Sequence, residues 1–167
     1  QMKTLPDNMH CIPASAFYGC ISLIEIVIPE SVKYIQHDSF HGCISLKKIS
    51  MPQSLIGIGD NAFSVCTSLV EINLPQSLEN IGAGAFVGCS SLVKIEIPPL
   101  VKEIKEGTFI SCSSLVDVKI PFELESLAIN AFINCNALKV VEISRYVKIV
   151  QVKGNKQNDL SNKIKYA

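Results

Sequence analysis

The chain has 167 residues, 48% apolar and 18% charged, a composition that supplies a packed core and excludes a disordered chain. Its 15 Lys and Arg are matched by 15 Asp and Glu, so it lacks the basic surplus that holds nucleic acid, and no nucleic-acid partner is expected. Every strand-like segment is broken by Glu, Lys, Ser or Pro well before the roughly 18 apolar residues of a membrane-spanning helix, so no membrane insertion is expected.

Residues 1–11 read as a partial N-terminal repeat or cap, because Leu5-Pro6 stands one period before Ile28-Pro29. Gln1 falls part-way through that unit, a start compatible with an upstream leader or with further repeats.

From 12 to 150 one pattern recurs six times without a length change. Ile12 is followed by Ile35, Ile58, Ile81, Ile104 and Leu127. Phe17 recurs as Phe40, Phe63, Phe86, Phe109 and Phe132, and Cys20 as Cys43, Cys66, Cys89, Cys112 and Cys135. A fixed 23-residue period is the mark of one supersecondary unit stacked on copies of itself, since no copy buries its apolar face alone. The unbroken phase gives a single domain.

Within each unit the clearest strand follows the cysteine, as in Leu23 to Pro29, where Leu23, Ile26 and Ile28 head apolar columns that end at Leu138, Val141 and Ile143. Stacked copies form a parallel sheet, and Pro29, Pro52, Pro75, Pro98 and Pro121 end the strands because proline has no N–H for a ladder. After the proline the chain turns a corner and directs Val32, Ile35 and their equivalents inward as a second face. The segment around Ala62-Phe63, Ala85-Phe86 and Ala131-Phe132 is expected to be a single helical or 3₁₀ turn. Ser22, Ser45, Ser68, Ser91 and Ser114 are expected to satisfy turn backbone groups ahead of the strand.

Six of the seven cysteines are periodic. Copies stacked about 4.8 Å apart would hold their Cβ vectors parallel where a disulfide needs them converging, so they are expected to be free buried thiols acting as small hydrophobes. Cys11 lies outside the column, at a position shared with Tyr34, Gly57, Asn80, Glu103 and Ser126. The pattern decays after Val147: Val150 is expected to keep the first column, Asn155 replaces the phenylalanine, and 151–167 form a polar C-terminal cap or tail.

The repeat I-x-x-x-A-F-x-G-C-x-S-L-x-x-I-x-I-P-x-S-V, carried in phase from Leu5 to about Val150, resembles the BspA-like leucine-rich repeats. The resemblance implies a leucine-rich repeat solenoid, a right-handed β/α superhelix with a parallel sheet from about six 23-residue repeats. It also implies a cell-surface or secreted protein, used in adhesion and other protein contacts and carrying no catalytic chemistry. Pro99-Leu100, Phe122-Glu123 and Arg145-Tyr146 depart from the x-Ser pattern and put the regularity of the second face in question over the last three repeats.

Signals for chemistry are poor. His37-Asp38-Ser39-Phe40-His41 has the histidine spacing of a zinc-protease helix, but Asp38 replaces the glutamate and Phe40 is a core position; two surface histidines explain it. Gly82-Ala83-Gly84 lacks the third glycine of a phosphate loop, no Cys-x-x-Cys pair is present, and no nucleophile–histidine–carboxylate set is assembled. Neither a metal nor a cofactor is expected, and the protein is not expected to be an enzyme.

The outward positions of the strand are more informative. One column runs Glu25, Lys48, Glu71, Lys94, Asp117, Val140, a second Val27, Ser50, Asn73, Glu96, Lys119, Glu142, and a third Ile24, Lys47, Val70, Val93, Val116, Lys139. Alternating charges on adjacent strands complement one another. A solvated face explains them, and so does a contact surface in which Val70, Val93 and Val116 form an apolar strip beside Asn73, Lys94, Glu96, Asp117 and Lys119. The expected function is a non-catalytic module that binds a protein partner through this face, monomeric as this fragment. The alternative is a spacer or intracellular scaffold without a ligand of its own. Buried free thiols and the lack of an Asn-x-Ser/Thr acceptor fit a cytoplasmic location as well.

Overall fold

The structure is a computed structural model and describes residues 3–151 and 160–167. Gln1, Met2 and residues 152–159, which hold Asn155 and much of the polar tail, lie outside the described residues.

The aliphatic columns determine the architecture. Ile26, Ile49, Ile72, Ile95, Val118 and Val141 all lie at or below 9% exposure, one above the next. Their strands are short, Glu25–Val27, Lys48–Ser50, Lys94–Glu96, Asp117–Lys119 and Val141–Ile143, and the pairings are parallel. Ile26 pairs with Ile49 and Ile95 with Val118, 23 residues apart, so every rung faces the same way into one interior. The N-terminal segment joins the same sheet, with Lys3 opposite Ile26.

The second face is a narrower parallel sheet. Cys11–Ile12, Tyr34–Ile35, Gly57–Ile58 and Asn80–Ile81 pair in sequence, and Glu103–Ile104, Ser126–Ala128 and Lys148–Val150 form a second group. The ladder breaks between Asn80–Ile81 and Glu103–Ile104, at the corner that carries Pro99-Leu100, and past Phe122 and Arg145 it continues with one slip. Leu127 pairs with Ile149, so Ile149 and not Val150 takes the first column and packs against the core. Two adjacent β-branched residues made the choice invisible to hydropathy.

The expected β/α superhelix is corrected: among the described residues there is no α-helix, and the fold is a parallel β-solenoid of about six turns. The segment around each phenylalanine is not a 3₁₀ turn either; a 3₁₀ helix occurs at Leu160–Asn162. The backbone itself excludes a helix there. Two residues flanking Phe63 take left-handed conformations, Asn61 at φ 53° and Val65 at φ 61°, and Asp38 and Gly42 do the same around Phe40. Alternate N–H groups then point in opposite directions. The amides of Asn61, Phe63 and Val65 donate to the carbonyls of Ala83, Ala85 and Val87 on the next coil, while those of Ala62, Ser64 and Cys66 close turns within their own coil. All six donors are satisfied without a helix.

Five of the six periodic phenylalanines are fully buried and stack in file, with centroids 5.2 Å apart for Phe40–Phe63, 5.6 Å for Phe63–Phe86 and 5.5 Å for Phe86–Phe109. The close approach of coils is tightest at Gly82, where a Cβ would lie 2.3 Å from the Asp60 amide nitrogen. The expected role of Ser22, Ser45, Ser68, Ser91 and Ser114 is not seen, since none of their hydroxyls makes a hydrogen bond among the described residues. The corner serines do that work: Ser31, Ser54 and Ser77 donate to the carbonyls of Met9, Val32 and Leu55 on the preceding coil.

The tail returns to the stack. Ile164–Tyr166 pairs with Val141–Ile143, Val141 opposite Ile164 at the same 23-residue offset, and Leu160 is buried. Polar composition hid this rung from the sequence.

Candidate functional site

On the outer side of the larger sheet, alternation of side chains brings the columns of Lys94 and Glu96 to solvent, and the column of Val93, just ahead of the strand, is exposed beside them. Val70, Val93 and Val116 are 50%, 40% and 54% exposed and follow one another on adjacent coils, tied by bonds from the Val93 amide to the Val70 carbonyl and from the Val116 amide to the Val93 carbonyl. Val140, on the next coil, extends the apolar surface.

The charges beside them pair off as dyads instead of forming a continuous ladder. Lys48 meets Glu25 at 3.2 Å, Lys94 meets Glu71 at 3.9 Å, Lys119 meets Glu96 at 3.2 Å and Lys165 meets Glu142 at 2.9 Å. Each Lys therefore faces the acid of the preceding coil. Asp117 stands in the same column as Lys94 yet has no ion pair among the described residues, because the Lys94 amine is turned to Glu71.

The sheet is interrupted at the third coil and again between Asp117–Lys119 and Val141–Ile143. Residues 71–73 form no strand, and their link to the next coil is one bridge, Glu71 to Lys94. Asn73 is a poor strand former within this rung, and the rung opens. The opening is a depression of about 400 Å³ with Ile72, Leu74 and Ile95 in its floor and Glu71, Asn73, Gln76, Lys94, Glu96, Asp117 and Lys119 around it. Asn73, Lys94, Glu96, Asp117 and Lys119 are thus brought together around one hollow, while Val70, Val93 and Val116 line up outside it. Sequence reasoning missed Gln76, whose place after Pro75 reads as a corner, and the gap itself. The lone Asn73 among strand-forming neighbours was its one signal.

A second exposed group was also missed. Where coils one to three carry the bonding serines, Leu100 and Tyr146 stand 48% and 81% exposed, with Phe122 beside them at 72%. Lys102 takes over the latch there, its amine donating to the carbonyls of Pro99 and Glu123 at 3.4 Å.

The remaining motifs assemble no reactive centre among the described residues. His37 Nδ1 lies 3.3 Å from Asp38 Oδ2, and His41 stacks on Tyr18 with ring centroids 4.8 Å apart. No group of three or more His, Cys, Asp or Glu side chains among the described residues is placed to hold a metal ion. Among the described residues no disulfide joins the cysteines. Burial pushes the Cys43 thiol up to about 11, helped by the neighbouring Cys20, and the Cys89 thiol up to about 12. Cys66 is raised further by burial, and Cys112 by its hydrogen bond to Cys135 and by burial. Such thiols are protonated and poor nucleophiles.

Residues 10–139 match, in six copies, the family model of the BspA type Leucine rich repeat region. The chain is similar to a leucine rich repeat protein of T. pallidum, with 36% identity and a TM-score of 0.82 over 90% of this chain and 72% of that one. It is similar to a leucine rich cell surface protein from Faecalibacterium prausnitzii, with 30% identity and a TM-score of 0.72 over 78% of this chain and 35% of that one. A leucine-rich repeat protein from Eubacterium ventriosum shares the fold, with 24% identity and a TM-score of 0.76, and this chain covers 41% of its length. No curated protein matches the chain.

Proposed function

The chain belongs to the BspA-type leucine-rich repeat family, and from that premise we propose that it is a non-catalytic binding module that holds a protein partner on the outer face of its larger sheet. The observation that carries this reading is the concurrence, on one face, of the exposed strip Val70–Val93–Val116 and the depression at the third coil. Stacked coils present both on one face in the same structure, so association needs little further ordering of the backbone. The family match indicates no catalytic family, in keeping with a binding role. The Faecalibacterium relative is a cell surface protein, which supports the same location for this chain.

The test uses binders selected on the chain from a displayed protein library. Val93→Asp combined with Val116→Asp is expected to weaken them about tenfold or more, since charge replaces the apolar centre of the contact, and to leave the melting temperature unchanged. Binding that survives both substitutions overturns the assignment of this face.

A second reading, a spacer with no ligand, draws on the four ion dyads, which satisfy most of the face's charge internally. A spacer yields no face-directed binders in the same selection.

A further inference from the structure

The geometry points to a partner that delivers a basic side chain, arginine or lysine, into the depression at the third coil, with Asp117 as its counter-ion. The inference rests on the proposed role of this face and names what the face selects.

Three carboxylates, Glu71, Glu96 and Asp117, and two ammonium groups, Lys94 and Lys119, surround the hollow. Two of the carboxylates are already matched, Glu71 by Lys94 and Glu96 by Lys119. Asp117 is left over. Lys139, on the following coil, also lies near this part of the sheet, but it forms no ion pair among the described residues. The hollow therefore carries a surplus of one negative charge, held by an acid whose outward neighbours in the adjoining column are Val93 and Val116. That combination suits a long cationic side chain: its methylene stem covers the valines and its head reaches the carboxylate. The side-chain amides of Asn73 and Gln76, which make no hydrogen bonds among the described residues, supply further acceptors at the rim. An acidic partner side chain would meet Asp117 without compensation, and an apolar one would bury that charge unpaired; both are disfavoured.

The experiment is a titration of the isotope-labelled 167-residue chain, followed by backbone amide shifts, with three blocked tripeptides: Val-Arg-Val, Val-citrulline-Val and Val-Glu-Val. Citrulline keeps the shape of arginine and removes its charge. The arginine peptide is expected to shift the amides of Val93, Val116 and Asp117, with affinity about tenfold above the citrulline peptide, and Asp117→Asn is expected to abolish that difference. Equal shifts from all three peptides overturn the charge selection and leave the face standing as a contact surface. Shifts confined to residues off this face, or none anywhere, overturn the selection and count against the reading of the face as well. A preference for arginine that persists in Asp117→Asn overturns the assignment of Asp117.

Discussion

The thiol of Cys89 donates to the backbone carbonyl of Phe63, 26 residues earlier, at 3.1 Å. The same bond joins Cys43 to Phe17, Cys66 to Phe40, Cys112 to Phe86 and Cys135 to Phe109. The cysteine column is thus a hydrogen-bonded seam between coils as well as a packing column. Cys89→Ala is expected to cost about 1–2 kcal/mol and Cys89→Ser less, because serine keeps a donor. Urea denaturation checks it, and equal losses would reduce the column to packing alone.

The same thiols make stability fall in alkali. An unfolded cysteine ionises near pH 9, whereas Cys43 holds its proton to about 11 and Cys89 to about 12. Between these values the unfolded state binds fewer protons than the folded one, so the unfolding free energy declines as pH rises, by about 1.4 kcal/mol per pH unit for each thiol. Denaturation midpoints flat from pH 7 to 8 and falling from pH 9 to 10.5 are expected, with a shallower fall in Cys89→Ala.

Phe86 stacks on Phe63 and Phe109 at 5.6 and 5.5 Å and is fully buried. Phe86→Ala is expected to destabilise by about 3–5 kcal/mol. Phe17, half-buried at the first coil and stacked on Phe40, is expected to cost clearly less when truncated. Calorimetric melting of the two variants gives the comparison.

Val65 occupies a left-handed position, φ 61°, that Gly19, Gly42 and Gly88 fill in neighbouring coils. A β-branched residue is strained there. The residue is 37% exposed, so removing its side chain forfeits partial burial that offsets some of the backbone strain relieved, and Val65→Gly is expected to stabilise by up to about 1 kcal/mol. A lower melting temperature would contradict this.

The inward columns were legible because a period of 23 residues leaves Ile, Phe and Cys no alternative to a common interior. The path of the backbone between them was not. Ala62-Phe63 reads as one helical turn by composition, and the left-handed residues on either side, Asn61 and Val65, include one valine that propensity excludes from that role. Hydrogen bonding was equally hard to read: Ser68 and Ser77 look alike in sequence, yet only Ser77 reaches a carbonyl of the preceding coil. On the outer face the charges were legible as columns, but which neighbour each Lys chooses depends on side-chain direction. That choice isolates Asp117. The gap beside Asn73 arises from failed pairing between coils, a property of two rungs together and of neither alone.

The central claim is that the sheet face around the valine strip is the contact surface. Hydrogen–deuterium exchange of the chain with and without a library-selected protein binder tests it most directly. The account predicts added protection at residues 93–96 and 116–119, with none at the corner of Phe122 and Tyr146. Protection confined to that corner, or to the turn from His37 to His41, would contradict it.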